Sequence, residues 1–430
     1  MSEEIGPPAV EIARAPRSGR RYSLPVVGVA TILVAIAGYL IIFIAFRVLG
    51  PAGYAHFAIF WSALYIVAGS IFGVQQETTR SVRMAAGLLD GSKGARALWP
   101  GMLIGAVIAL GILATASLWA PALFGENATL FSWMLATGAV LYSGHSVTAG
   151  SLAGRGLWGG YSVLLVTESF VRVGAVLLVV ALGLGLPAIG VVATLAMGSW
   201  LVFLAVPAFR GASLGRIDAP MRRATVRSAQ SLLAAAASAL LVTGFPVILG
   251  AASPNEDPAL LGVVILVVTL TRAPIMLPLN AFLGMIVAAF VDRRDARLNT
   301  VLRPMLLVAG GGVVLAGLAT LLGAPILTWL FGAKASTSPF FIGGATLAAA
   351  FIGVLSISGA ATLARGHHLG YSLGWLAAAG IACATLILPI SLEARVILAL
   401  VVGPLIGVLI HLGVLVAKTR STREESRRSM

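Results

Sequence analysis

The chain has 430 residues and carries 29 Lys and Arg against 15 Asp and Glu, a formal net charge of +14, yet 59% of it is hydrophobic and only 10% is charged. An ordinary soluble domain is about 25% charged, so this composition and a mean hydropathy of +1.00 exclude one and point to a polytopic membrane protein. The basic excess then concerns which side of a membrane the charge occupies, and nucleic-acid binding is set aside.

A membrane-crossing helix needs about 20 mostly apolar residues at 1.5 Å each. In chain order such stretches run from Leu24 to Phe46, Ala55 to Val74, Leu98 to Ala120, Ala128 to Gly150, Ser162 to Leu184 and Leu186 to Phe209. After a polar gap come Leu232 to Gly250, Ala259 to Phe290, Val301 to Gly323, Phe341 to Ala364, Tyr371 to Pro389 and Val396 to Ala417. The first follows Arg17, Arg20 and Arg21, but it exceeds the 7 to 15 apolar residues of a signal segment and no small-x-small cleavage site follows it, so it is read as a helix. The expected fold is all-α with twelve spans. Its organisation is a basic tail at 1–23, expected to be disordered, a six-helix lobe at 24–209, a cytoplasmic linker at 210–231, a second lobe at 232–417 and a tail at 418–430.

Cytoplasmic loops retain Lys and Arg, and the loops on the side of both termini hold 24 of the 29. The opposite side has Arg47, Lys334 and Arg395, while Arg172 and Arg272 lie inside spans. Both termini are therefore expected in the cytoplasm, with the arginines on that side attracted to anionic lipid. Arg far outnumbers Lys and Ala and Gly abound, which suggests a GC-rich bacterial genome and a bacterial cytoplasmic membrane. Cys383 is the single cysteine, so no disulfide forms within the chain.

An internal repeat is visible. Arg155-Gly156-Leu157-Trp158-Gly159-Gly160-Tyr161-Ser162 and Arg365-Gly366-His367-His368-Leu369-Gly370-Tyr371-Ser372 share R-G-x-x-x-G-Y-S at an offset of 210 residues, which also carries Arg83 onto Arg293. Ala120-Pro121 followed by Phe124-Gly125 is echoed by Ala324-Pro325 followed by Phe331-Gly332. Six spans per repeat give both halves the same topology, related by an axis along the membrane normal and enclosing a central cleft.

Ionisable residues at membrane depth are functional candidates. Glu168 and Arg172, four apart in the fifth span, face one side and can pair, either as a structural lock or as a cleft-lining pair that exchanges partners with substrate or a proton. Arg272 is about 20 Å from the outer end of the eighth span, too deep to snorkel. Pro274 and Pro278 follow it, and a helix interrupted by proline is tolerated where it lines a cavity or is buried in protein. Arg272 is thus either a cavity cation or a buried structural arginine, Asn280 can share its face, and the helix is expected to kink. His145, among Ser143, Ser146 and Thr148, is a core histidine or a proton relay. Arg47 snorkels to the outer surface or serves substrate. Glu77 and Arg80 close the second span beside Gln75 and Gln76, as an inner gate or a solvated helix end. His367 and His368 have no carboxylate or cysteine nearby, so no metal is expected there, and no cofactor motif is recognised. A nucleotide-binding G-x-x-x-x-G-K-[ST] loop is missing. The short outer loops lack the placed acids and bases of a membrane glycosyltransferase, so an enzyme is not expected.

Arg47-Val48-Leu49-Gly50-Pro51-Ala52-Gly53-Tyr54, the span bearing Trp61, Gln75-Gln76-Glu77-Thr78-Thr79-Arg80, and Gly154-Arg155-Gly156 leading through Tyr161 to Glu168-Ser169-Phe170-Val171-Arg172 resemble the polysaccharide-exporting and O-antigen flippases of the multidrug, oligosaccharidyl-lipid and polysaccharide exporter superfamily. The resemblance implies two lobes around a central, often cationic cavity that passes the pyrophosphate-linked sugar head of a polyprenyl lipid by alternating access, with Arg272 and Arg172 supplying charge. It also implies glycosyltransferases or a polymerase of the same pathway as partners. The extra first-span arginines of the lipid II branch have no counterpart between Leu24 and Phe46, which favours another glycolipid. Two rivals stand. One is an ion-coupled small-molecule or multidrug exporter, either of this superfamily or of the major facilitator fold, whose loop signature Gly87 to Arg96 matches imperfectly with Asp90 one position early. The other is a non-transporting scaffold for cell-envelope polysaccharide assembly.

Overall fold

Twelve membrane passages organise the chain, and a computed structural model describes residues 23–86, 94–292 and 299–428 of it. The N-terminal tail expected to be disordered and most of the Gly87 to Arg96 loop lie outside the described residues, as does the side chain of Asn280. The helices are α1 (Ser23–Ala85), α2 (Leu98–Phe124), α3 (Ala128–Gly154), α4 (Trp158–Ala181), α5 (Leu186–Leu195), α6 (Trp200–Phe203) and α7 (Pro207–Ser213). They continue as α8 (Met221–Val242), α9 (Phe245–Ala252), α10 (Pro258–Asp292), α11 (Asn299–Phe331), α12 (Pro339–Ala364), α13 (His368–Leu386) and α14 (Leu392–Arg428).

Among the described residues nine segments are long and apolar enough to span a bilayer. Two of them are double crossings: Pro25–Ala85 with 61 residues and Leu98–Gly154 with 57. The first folds back at Gly50, whose φ of 68° is the left-handed conformation that suits glycine. The second turns over a single 3-10 turn, Gly125–Asn127. The bent pair α8 and α9, at 61° to one another, completes the twelve. Even in number, the spans begin and end on the side that carries the basic loops.

The repeat read in the sequence is a repeated helix ending. Gly156 and Gly366 have φ of 75° and 80°, and the following residue closes a six-to-one bond in each: Leu157 N–H donates to the Leu152 carbonyl at 2.9 Å and His367 N–H to that of Thr362 at 3.1 Å. This is the glycine-capped termination that satisfies the last carbonyls of α3 and α12. At the second echo Gly125 and Gly332 also follow α2 and α11 at positive φ, 53° and 85°, each donating its N–H one turn back, to the Pro121 and Thr328 carbonyls.

The 210–231 stretch, expected as a linker, is largely structured. Helix α7 occupies part of it and α8 begins at Met221. Between them Arg216 forms an isolated antiparallel bridge with Arg96, in which Ala97 N–H donates to the Gly215 carbonyl at 2.8 Å and Ile217 N–H to that of Ala95 at 3.0 Å. The connection between halves is therefore pinned to the loop before α2.

The two halves meet along α1, α8 and α10. Close approach there depends on glycine: a Cβ at Gly73 would lie 2.2 Å from the Ser231 carbonyl oxygen, and one at Gly262 would lie 2.0 Å from that of Pro51. Small residues let membrane helices touch backbone to backbone, where dispersion replaces the absent hydrophobic drive. Gly262→Val is expected to lower the unfolding temperature in detergent, at a cost of about 1–3 kcal/mol for overpacking. Gly111→Val, whose Cβ would meet nothing within 4 Å, should leave it unchanged.

Candidate functional site

The second half of α1 places Tyr54, Phe57, Trp61 and Tyr65 three, four and four residues apart, hence on one face. Their rings step down the helix with centroids 6.1, 5.3 and 4.9 Å apart. This aromatic ladder is one wall of a cavity of about 230 Å3 between the two halves. Facing it, α10 contributes Ile265, Thr269, Arg272 and Met276, again at helical spacing, and Tyr39 and the junction of α8 with α9 complete the lining.

Arg272 is 9% exposed. One guanidinium nitrogen donates to the Val242 carbonyl at 2.7 Å, and the group lies 5.3 Å from the centroid of the Phe245 ring. Val242 ends α8 and Phe245 begins α9, so Arg272 caps the break in the seventh span, where a helix C-terminus presents unpaired carbonyls and negative potential. Ser62 Oγ donates to the next carbonyl, Thr243, at 2.5 Å. Pro274 and Pro278, where a kink is expected, both lie inside α10. α10 remains helical through both prolines, and the chain breaks in the neighbouring span, where side chains replace the lost backbone partners.

Among the described residues, Arg272 Nε and its other terminal nitrogen have no hydrogen-bond partner, and no carboxylate lines the cavity. An unmet buried donor costs about 1–3 kcal/mol, more when charged. The site is therefore electrostatically incomplete and complementary to an anion.

A second cavity of about 130 Å3 lies within the first half and shares Tyr65 with the first. It holds Glu168 and Arg172, which form a buried ion pair. Arg172 also donates to Tyr65 Oη and to the Ala193 carbonyl at 3.3 Å, with its guanidinium 5.6 Å from the Trp61 ring and 5.7 Å from that of Tyr65. Its donors are engaged within the protein, in contrast to those of Arg272. His145 lines the same cavity, stacked on Tyr142 at 5.3 Å and 10°, and its Nδ1 has no partner. The ion pair thus lies beside an imidazole whose Nδ1 is unpaired.

The remaining candidates lie apart. Arg47 is exposed at an outer mouth between the ends of the first and ninth spans. Glu77 accepts from Arg80 at 2.6 Å and from Ser81 Oγ at 2.9 Å. Arg80 continues to Asp218 at 3.4 Å, which also pairs with Arg227 at 3.2 Å. The cytoplasmic end of the second span is thus tied to the connecting segment. Sequence reasoning did not single out the ladder, although its spacing was there to be read, nor Asp218, which is 138 residues from Arg80.

No protein-family model matches the chain. It is 37% identical over 421 residues to the uncharacterized protein Rv3630 of Mycobacterium tuberculosis, covering 95% of this chain and 96% of the relative. It is also 38% identical over 398 residues to the uncharacterized protein Rv1510 of the same organism, covering 92% of each. Among solved structures, an inward-facing multidrug resistance MATE family transporter of the MOP superfamily aligns with a TM-score of 0.72 at 17% identity, over 91% of this chain and 96% of that one. An outward-facing one aligns at 0.62 with 13% identity, over 94% and 96%. A MOP superfamily transporter from Pyrococcus furiosus, described as having a binding pocket of reversed polarity, aligns at 0.61 with 14% identity, over 92% and 96%. The chain belongs to the family of these mycobacterial proteins and has the fold of the MATE transporters of the MOP superfamily.

Proposed function

We propose that the chain moves an amphipathic anion across the cytoplasmic membrane by alternating access, and that the substrate is of the polyprenyl-pyrophosphate glycan class. The observation that carries this reading is Arg272, which offers two unmet donors to a cavity without a carboxylate. A pyrophosphate accepts several charge-assisted bonds from a planar guanidinium, and the aromatic ladder supplies flat apolar faces for a sugar. Expulsion of a cationic drug would be served by an uncommitted carboxylate in the cavity, and Glu168 is neutralised by Arg172. The MATE fold keeps the multidrug reading as the second one, while the Pyrococcus furiosus transporter with its reversed pocket polarity is a precedent within the fold for a different cargo.

Two features suit alternating access. At the outer end Phe46 meets Tyr54 at 5.3 Å and Phe331 at 5.4 Å, edge to face, so an aromatic seal from α1 and α11 lies between the central cavity and the outer mouth. In the first half, the Glu168, Arg172 and His145 group communicates with the substrate cavity through Tyr65 and is assigned the coupling role.

In proteoliposomes with a labelled polyprenyl-pyrophosphate sugar, Arg272→Ala should reduce translocation by about two orders of magnitude, as expected for loss of charged hydrogen bonds, while Arg272→Lys keeps part of the rate. An unchanged rate in Arg272→Ala would overturn the assignment, and a cationic dye exported independently of Arg272 would favour the multidrug reading. Glu168→Gln alone should destabilise the protein by about 3–5 kcal/mol by stranding a buried cation. Combining it with Arg172→Gln should recover the fold but abolish the response of transport to an imposed proton gradient. A double variant that still responds would make the pair purely structural.

A further inference from the structure

The outer mouth and an apolar groove on α11 lie apart from the Arg272 cavity. The mouth is a cavity of about 600 Å3 at the outer ends of the first and ninth spans, with Arg47 and Lys334 as its charged residues and no acid in its lining. Arg47 is held at its rim by stacking, 5.8 Å from the centroid of Phe43, which in turn packs edge-on against Phe331 at 5.4 Å. The described acids of the outer surface that have partners face elsewhere: Glu256 pairs with Arg395 and Glu393 accepts from Thr337 at 2.7 Å.

Beneath the mouth, a groove of about 330 Å3 runs between α10 and α11 with α12 as its floor. Its origin is a packing mismatch. α11 is drawn onto α12 by glycine, since a Cβ at Gly312 would lie 2.2 Å from that of Ala350 and one at Gly343 would lie 1.9 Å from Thr320 Oγ1. α10 also packs on α12, whereas α10 and α11 scarcely touch, so the space between them stays open. On α10 the groove takes Val267, Leu270, Thr271 and Pro274, the face opposite to Arg272. On α11 it extends from Leu315 to Leu330, about 22 Å at 1.5 Å per residue. Leu318, Leu322 and Ile326 along it are about half exposed, which opens the groove to lipid. Leu330 at its top is followed directly by Phe331 and Lys334 of the mouth.

Two cations at headgroup level above an apolar slot longer than the roughly 15 Å of one leaflet match one chemistry: a phosphate head joined to a hydrocarbon chain. We propose that this is a site for an anionic, phosphate-bearing lipid of the outer leaflet, with its head between Arg47 and Lys334 and one chain in the groove between α10 and α11. Phosphate pairs with Arg and Lys by charge-assisted hydrogen bonds, and the chain fills the apolar slot that opens to the bilayer beneath the two cations.

The test uses the full-length protein in detergent, with lipid retention followed by native mass spectrometry. Phosphatidylglycerol, phosphatidylcholine and inorganic phosphate are titrated in parallel. The unmodified protein should bind phosphatidylglycerol about tenfold more tightly than phosphatidylcholine, a ratio in keeping with two surface cations. The double variant Arg47→Ala, Lys334→Ala should lose that preference and bind both lipids alike. Ala319→Phe, which fills the groove without touching the mouth, should weaken both lipids at least tenfold. Arg272→Ala should retain the preference, so failure of the transport reading and failure of this one are told apart. Equal binding of the two lipids by the unmodified protein, or a preference that survives the double variant, would overturn the proposal. Inorganic phosphate displacing the lipid at equal concentration would also overturn it, by making the mouth a free-anion site. Thermal unfolding of each variant, compared with the unmodified protein, shows whether lost binding reflects lost fold, and Ala319→Phe together with the double variant give two independent readings.

Discussion

Hydrocarbon offers no partner to a backbone N–H or carbonyl, and the architecture follows from that constraint. Helices answer it within each span, and the glycine caps at Gly156 and Gly366 answer it where spans end. The junction of α8 and α9 is where a span bends and the answer must come from side chains. Ser62 and Arg272 provide it. The arginine that holds this break is also the residue that charges the cavity, because one of its nitrogens suffices for Val242 and two remain without partners. A structural role and the proposed functional one are joined in one side chain, and the cost of burying it is partly met by the helix end it caps.

Helix α1 connects the two centres. Its second half carries the aromatic ladder from Tyr54 to Tyr65, and Tyr65 lines both the central cavity and the one that holds Glu168 and Arg172. The contrast between the two arginines is chemical. Arg172 is fully occupied by a carboxylate, a phenol and a carbonyl, whereas Arg272 sees a carbonyl, a ring and empty space. A buried ion pair is close to neutral in its balance of desolvation and attraction, which suits a group that switches state. An incompletely paired cation is suited to receiving cargo.

Much of the fold was legible. Twelve spans and the twofold repeat of six came from apolar runs and R-G-x-x-x-G-Y-S, since these depend on local hydropathy and on glycine conformations that act within one turn. The candidate site was legible only in part. Depth alone marked Arg272 and Arg172, and spacing alone paired Glu168 with Arg172. The prolines of α10 do not end the helix, because a proline deletes one hydrogen bond that packing tolerates, and no local signal marked the break at Gly244, whose neighbouring carbonyls are satisfied from α1 and α10. The 210–231 stretch was read as a polar cytoplasmic linker, and within it Asp218 binds Arg80 across 138 residues, a contact that no local pattern encodes.

The sequence by itself determined what the membrane solvent dictates: which segments cross, and that two deep arginines need a reason. Those properties are transfer free energies of single segments and require no knowledge of neighbours. Only the tertiary structure decided which arginine is free, which cavity it faces, and that α11 leaves a slot beside α10. Those outcomes depend on the backbone distances that glycines permit between helices far apart in the chain, and on which donor reaches which carbonyl once the helices have packed.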